Sequence, residues 1–143
     1  KAKRFLGRDD MALVLRALLF VGGLFFVLMG IRFLLDPVGS GADFGIAPQG
    51  VLGFASIRAD MTAFFVVAGG CMIWGAWARK GDPLLVSAAL MGIAIFGRLY
   101  TLTVDGPHDG WFLPIIVESV TVILALLGSR MLPHTALVPD EDA

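Results

Sequence analysis

Two ionisable residues stand where ionisable residues are costly. Arg98 and Glu118 lie inside apolar segments on either side of a short polar turn, Asp105-Gly106-Pro107-His108-Asp109-Gly110. A charged side chain at the centre of a membrane helix costs roughly 2.5 to 3.5 kcal/mol on insertion scales, so those that occur face the bundle interior, pair with one another, or serve a function. Arg98 precedes Asp105 by seven residues, and Glu118 follows Trp111 by seven. At about 1.5 Å of rise per residue, both stand about 10 Å from the turn. An antiparallel helix pair therefore brings them to one depth, and they are expected to interact.

Three kinds of chemistry suit such a cluster. It can be a buried ion-pair network that fixes helix register, adding little net stability while penalising the loss of either partner. It can be a ligand pocket, because arginines at the mouth of an apolar bundle suit an amphiphile with a polar or anionic head, such as a lipid or a quinone. Or it can be catalytic, with Glu118 as a proton carrier and His108 as an acid or base, although no nucleophile constellation accompanies them. The candidate cluster comprises Arg58, Asp60, Arg98, Asp105 and Glu118, with Arg32 as either a further member or a side chain that snorkels to the interface. Asp105, His108 and Asp109 have the residue types of metal ligands, but this spacing in a turn fits a solvated loop better, and no metal is predicted.

The composition sets where these residues must work. Of 143 residues 57% are hydrophobic and only 16% charged, with a mean hydropathy of +0.84. That is too apolar for an ordinary soluble domain and points to a polytopic membrane protein built as one unit in the lipid bilayer. A net charge of −1 provides no basic field for nucleic acid. The single cysteine, Cys71, excludes an internal disulfide, and its place in an apolar run fits a buried inert thiol. The chain opens Lys1-Ala2-Lys3-Arg4 without a methionine, so the natural start is expected to lie upstream or to have been processed.

Four apolar runs carry the cluster. After a basic lead-in over residues 1–10, the first runs from about Met11 to Leu35, long enough to cross a hydrocarbon core of about 30 Å. It is too long for a signal-peptide core, which spans about 7 to 15 apolar residues. Asp36 to Ala59 reads as a loop, broken by Asp36-Pro37, by Pro48 and by repeated glycines. Its apolar part from Phe44 to Ile57 is expected either to rest at the interface or to fold over the bundle mouth as a lid. The second run, Asp60 to Ala78, has Asp60 placed as a helix N-cap, and Gly69-Gly70 and Gly75 as small residues for close packing. Gly81-Asp82-Pro83 makes a reversal, the third run covers about 84–104 and the fourth about 111–132, with Pro114 tolerated in the first turn. Ser87, Met91, Ala94, Arg98, Thr101 and Asp105 form one helical stripe, as do Glu118, Thr121, Ala125 and Gly128. An acidic tail covers 133–143.

These runs predict an all-α fold, an integral membrane four-helix bundle with up-and-down topology. Four crossings put both termini on the side that carries Lys1, Lys3, Arg4, Arg8, Arg79, Lys80 and Arg130, which the positive-inside rule assigns to the cytoplasm. The opposite side carries Arg58 against Asp36, Asp43, Asp60, Asp105 and Asp109, so the polar groups converge on the outer half of the bundle.

Over about Met11 to Leu132 the chain resembles a family of small four-helix bacterial membrane proteins described only as a domain of unknown function, itself similar to the broader DoxX-like group. The resemblance rests on Asp36-Pro37, Arg58, Gly69-Gly70, Gly97-Arg98, Asp105-Gly106-Pro107 and Glu118 in that order. It implies a bundle in the bacterial inner membrane but brings no established activity. Some DoxX-like proteins are similar to membrane subunits of quinone-linked oxidoreductases. The functional expectation is a non-catalytic accessory subunit of a larger membrane complex or homo-oligomer, or a binder of a lipid- or quinone-like amphiphile. The alternative is a small membrane enzyme using Glu118.

Overall fold

The computed structural model describes residues 7–135. Lys1, Lys3 and Arg4 of the basic lead-in, and the acidic tail from residue 136 onward, lie outside the described residues. Helix α1 spans Arg8–Leu35 and starts at Gly7, whose backbone N–H donates to the Asp10 carboxylate at 3.3 Å. It ends where Pro37 removes a backbone donor, and the Asp36 carboxylate turns back to accept from the Gly39 N–H at 2.9 Å, capping the short helix α2 (Pro37–Ala42).

The expected long loop of residues 36–59 is not what forms. After a compact turn through Gly45 (φ +67°) and Gly50 (φ +59°), the chain winds as α3 (Gly50–Ser56), a π-helical stretch (Ile57–Met61) and α4 (Thr62–Ala78). Together these make one continuous membrane-length helix, Gly50–Ala78. The physical reason lies in the prolines: none occurs between Pro48 and Pro83, so every backbone donor needed to propagate the helix is present. Glycines in this segment lower helix propensity without ending the helix. Asp60 accordingly sits within the π-helical stretch and is not an N-cap.

Arg79 closes α4 in the left-handed conformation (φ 52°, ψ 42°). Helix α5 (Gly81–Val104) and helix α6 (Phe112–Met131) follow, joined by the polar turn and succeeded by a 3₁₀ turn, Leu132–Thr135. Neighbours in the chain are neighbours in space, and α6 returns to α1, which closes an up-and-down four-helix bundle. Among the described residues four helices are long and apolar enough to cross a membrane. Their outer faces carry bare Leu13, Val21, Leu28, Ile93, Phe96 and Ile123, a girdle suited to lipid. The molecule is a small multi-pass membrane protein.

The two ends of the bundle are packed differently, and this difference creates the site. At the end where α1 begins and α6 finishes, Leu19, Leu84 and Leu132 are fully buried. Leu84 fills the relief left by Gly75 and Gly128, where an added Cβ would stand 2.5 Å and 2.8 Å from its side chain. Arg16 donates through Nε to the Ala76 carbonyl at 2.9 Å. Further along, α1 and α4 approach through Gly23 and Gly69, each backed onto the other's carbonyl oxygen, and Thr62 donates its hydroxyl to the Gly30 carbonyl at 3.2 Å. Ser87 ties α5 to α4 by donating to the Ala68 carbonyl at 2.7 Å. Toward the end that carries the 105–111 turn, the core changes from leucine to phenylalanine. Phe26, Phe33 and Phe65 stack, and Phe44 caps them with its ring centre 5.3 Å from that of Phe33.

Candidate functional site

The polar stripe of α6 points inward as a unit: Glu118, Thr121, Ala125 and Gly128 are all buried. Thr121 satisfies its own hydroxyl by donating to the Val117 carbonyl at 2.8 Å, which leaves Glu118 as the buried group in need of an external partner. The facing stripe of α5 supplies one. Ser87 and Met91 are buried on it, Arg98 is half-buried, and Thr101 and Asp105 are exposed near the turn. Arg98 donates from Nε to Glu118 Oε1 at 2.8 Å, with the glutamate side chain 9% exposed and the arginine side chain 34%. Charge assistance and burial of the acceptor make this a strong contact.

Only half of the carboxylate is satisfied. Glu118 Oε2 is buried and accepts no hydrogen bond among the described residues, and leaving a buried polar atom unmatched is costly. The side chain lines a partly open cavity of about 490 Å³ bounded by α1, α4, α5 and α6. One wall is aromatic, made by Phe25 and Phe26 of α1 with Phe64 and Phe65 of α4. The other holds Arg98, Glu118, Pro114 and Val117. Phe44 and Asp43 cover it from the segment after α2, and His108 and Asp109 from the α5–α6 turn. The stretch around Phe44 thus folds over the bundle mouth, while Val51 and Leu52 project outward from α3. A second recess of about 70 Å³ lies beside Arg98, between Thr101, His108 and Trp111, so the guanidinium stands between two openings.

The remaining members of the expected cluster lie elsewhere. Arg58 donates through Nε to the Leu34 carbonyl at 3.1 Å and stands over the Phe54 ring at 5.6 Å. It thereby serves an unpaired carbonyl at the C-terminus of α1, where a cation is favoured. Asp60 is exposed and does not line the cavity. Asp105 is the exposed C-cap of α5, its backbone N–H donating to the Thr101 carbonyl, and the next polar residues of that turn, His108 and Asp109, reach the cavity in its place. Arg32 faces Asp43 across 3.9 Å with both side chains largely exposed, a loose pair of small energetic weight. For Arg58 and Asp60 the reason is that residues 50–78 form one helix, so they occupy helical faces rather than a free loop, and each side chain follows its own face.

The aromatic wall was not among the residues singled out from sequence, although two Phe-Phe doublets, 25–26 and 64–65, mark it. Among the described residues no group of three histidine, cysteine or acidic side chains converges as metal ligands. A family model described as Domain of unknown function (DUF4345) matches residues 14–129. No curated protein and no solved structure matches the chain.

Proposed function

From the premise that this chain belongs to the DUF4345 family, whose description assigns no activity, we propose a function read from the site: a non-catalytic membrane protein that binds a lipid- or quinone-like amphiphile. The observation that carries the proposal is the cavity of about 490 Å³ with phenylalanines on one wall and the Arg98–Glu118 pair on the other. Pockets for small ligands combine apolar walls with a few placed polar groups in this way. The apolar body of the ligand lies against Phe25, Phe26, Phe64 and Phe65, and its head reaches Arg98 and Glu118. A role as accessory subunit is compatible with this binding, as is kinship with the DoxX-like group, whose likeness to subunits of quinone-linked oxidoreductases makes a quinone one candidate. The second reading uses Glu118 as a proton carrier, and it draws support from the same free carboxylate oxygen.

Native mass spectrometry after gentle extraction tests the binding reading. The expected result is a retained lipid or quinone, or a larger assembly, that is lost on replacing Arg98 and Glu118 together with apolar residues. A double variant that folds and keeps everything the wild type keeps would reduce the pair to a structural role.

The orientation belongs to the same proposal. Arg79, Lys80 and Arg130 lie at the end where the bundle starts and finishes, and with the basic lead-in they favour that end as cytoplasmic in a bacterial inner membrane. Alkaline phosphatase fused after Pro107 is expected to be active and after Pro133 inactive. The reverse pattern overturns the orientation and leaves the cavity reading untouched.

A further inference from the structure

We infer that the head of the bound amphiphile carries an ammonium group, an inference that rests on the binding role proposed above. It starts from the charges around the cavity. Its lining holds one arginine, Arg98, against three carboxylates, Asp43, Asp109 and Glu118. Arg98 is already engaged by Glu118 at 2.8 Å, and Arg32 at 3.9 Å from Asp43 offsets one carboxylate in part. An anionic head entering this space would meet an arginine whose charge is balanced and carboxylates that repel it.

The second observation concerns hydrogen bonding. Glu118 is 7% exposed, and its Oε2 lacks a donor among the described residues while its side chain lines the cavity. A carboxylate accepts hydrogen bonds and cannot give them, so the group that completes it must be a donor. A quinone carbonyl is an acceptor and leaves Oε2 unmatched. An ammonium supplies the donor and the charge at once, and charge-assisted contacts of this kind are about twice as strong as neutral ones. The aromatic lining does not oppose that charge, because the negative faces of phenylalanine rings attract cations, and five such rings line the space. Two sources share this chemistry: a phospholipid with an ethanolamine head, and a free alkylammonium.

The test uses the full chain in an uncharged detergent. Binding of dodecylammonium, dodecanoate, dodecanol and a short-chain quinone is followed by tryptophan fluorescence, and lipids retained from vesicles of phosphatidylethanolamine or phosphatidylglycerol are read by native mass spectrometry. Dodecylammonium is expected to bind on the order of tenfold tighter than the other three probes. Glu118→Gln should erase that preference. Since this variant also disturbs the pair with Arg98, Asp109→Asn in the exposed turn provides the independent arm, lowering the preference for the amine over dodecanol several-fold. Retention of phosphatidylethanolamine identifies the lipid source, and amine binding without it the free cation. If dodecanoate, dodecanol, the quinone or phosphatidylglycerol binds as well as the amine, the ammonium inference fails and the amphiphile reading survives. If none of the probes binds, both fail.

Discussion

Arg98→Ala is expected to lower folding stability by about 3 kcal/mol, toward the lower end of what breaking a buried ion pair costs. It would leave the Glu118 carboxylate buried with neither oxygen matched, where the wild type leaves only Oε2 open. Glu118→Gln should cost less, about 1 to 2 kcal/mol, because its amide oxygen still accepts from Arg98 and the Arg98 side chain is one-third exposed, so its charge hydrates at the bundle mouth. Both variants lose the ion pair, and the asymmetry follows from what each leaves behind. Arg98→Met combined with Glu118→Leu should be milder than the sum of Arg98→Met and Glu118→Leu made singly by about 1 kcal/mol or more. Unfolding in micelles, by heat or by denaturing detergent, measures all four corners of the cycle. Strict additivity would mean that the pair is not energetically coupled.

Gly69→Ala is the second change with a large expected effect, about 1 to 3 kcal/mol of destabilisation despite the better helix propensity of alanine. The new Cβ would press on the Gly23 carbonyl oxygen and stand 2.8 Å from the Val27 nitrogen and 3.0 Å from the Phe26 Cβ. Backbone atoms cannot swing aside, so α1 and α4 must separate, and with them Phe26 and Phe65 of the cavity wall. The neighbouring Gly70→Ala is the control. Nothing lies within 4 Å of its added carbon, and the same propensity gain, up to about 1 kcal/mol, should raise its melting temperature. Equal melting of Gly69→Ala and wild type would show that the close approach of α1 and α4 contributes nothing.

The contrast between these two glycines marks how far the sequence could be read. Both belong to a stretch of small residues in an apolar helix, but which of them touches a neighbour depends on how α4 is rotated, and rotation is a property of the packed bundle. Arg98 and Glu118 were legible because two independent constraints coincide at them: the energetic cost of a charge in lipid and equal distance from one turn. Arg58, Asp60 and Asp105 had only the first kind of signal, charge near the expected mouth. Residues near a membrane boundary hydrate without needing each other, so their nearness in depth did not decide their partners. The helix from Gly50 was hidden by glycines that resemble loop punctuation, although the missing prolines allowed it. The aromatic wall was hidden for the opposite reason, since phenylalanine in a membrane helix is ordinary whether it faces lipid or a cavity.

The π-helical stretch Ile57–Met61 has a consequence for comparing chains of this kind by length. A π turn holds one residue more than an α turn, so the stretch absorbs an insertion inside a membrane span without breaking its hydrogen-bonded run. A chain one residue shorter between Gly53 and Thr62 would close as plain α-helix, with α4, its glycine contacts and the segment from Gly50 to Ser56 all keeping their faces. The residue lost would come from the turn that sets Arg58 on the Leu34 carbonyl, so that fastening is the one such a chain would change. In an alignment the two lengths would differ by a gap in the middle of a hydrophobic helix, a place where a gap is usually taken for an error. Here it would mark two ways of fastening the same bundle at its mouth.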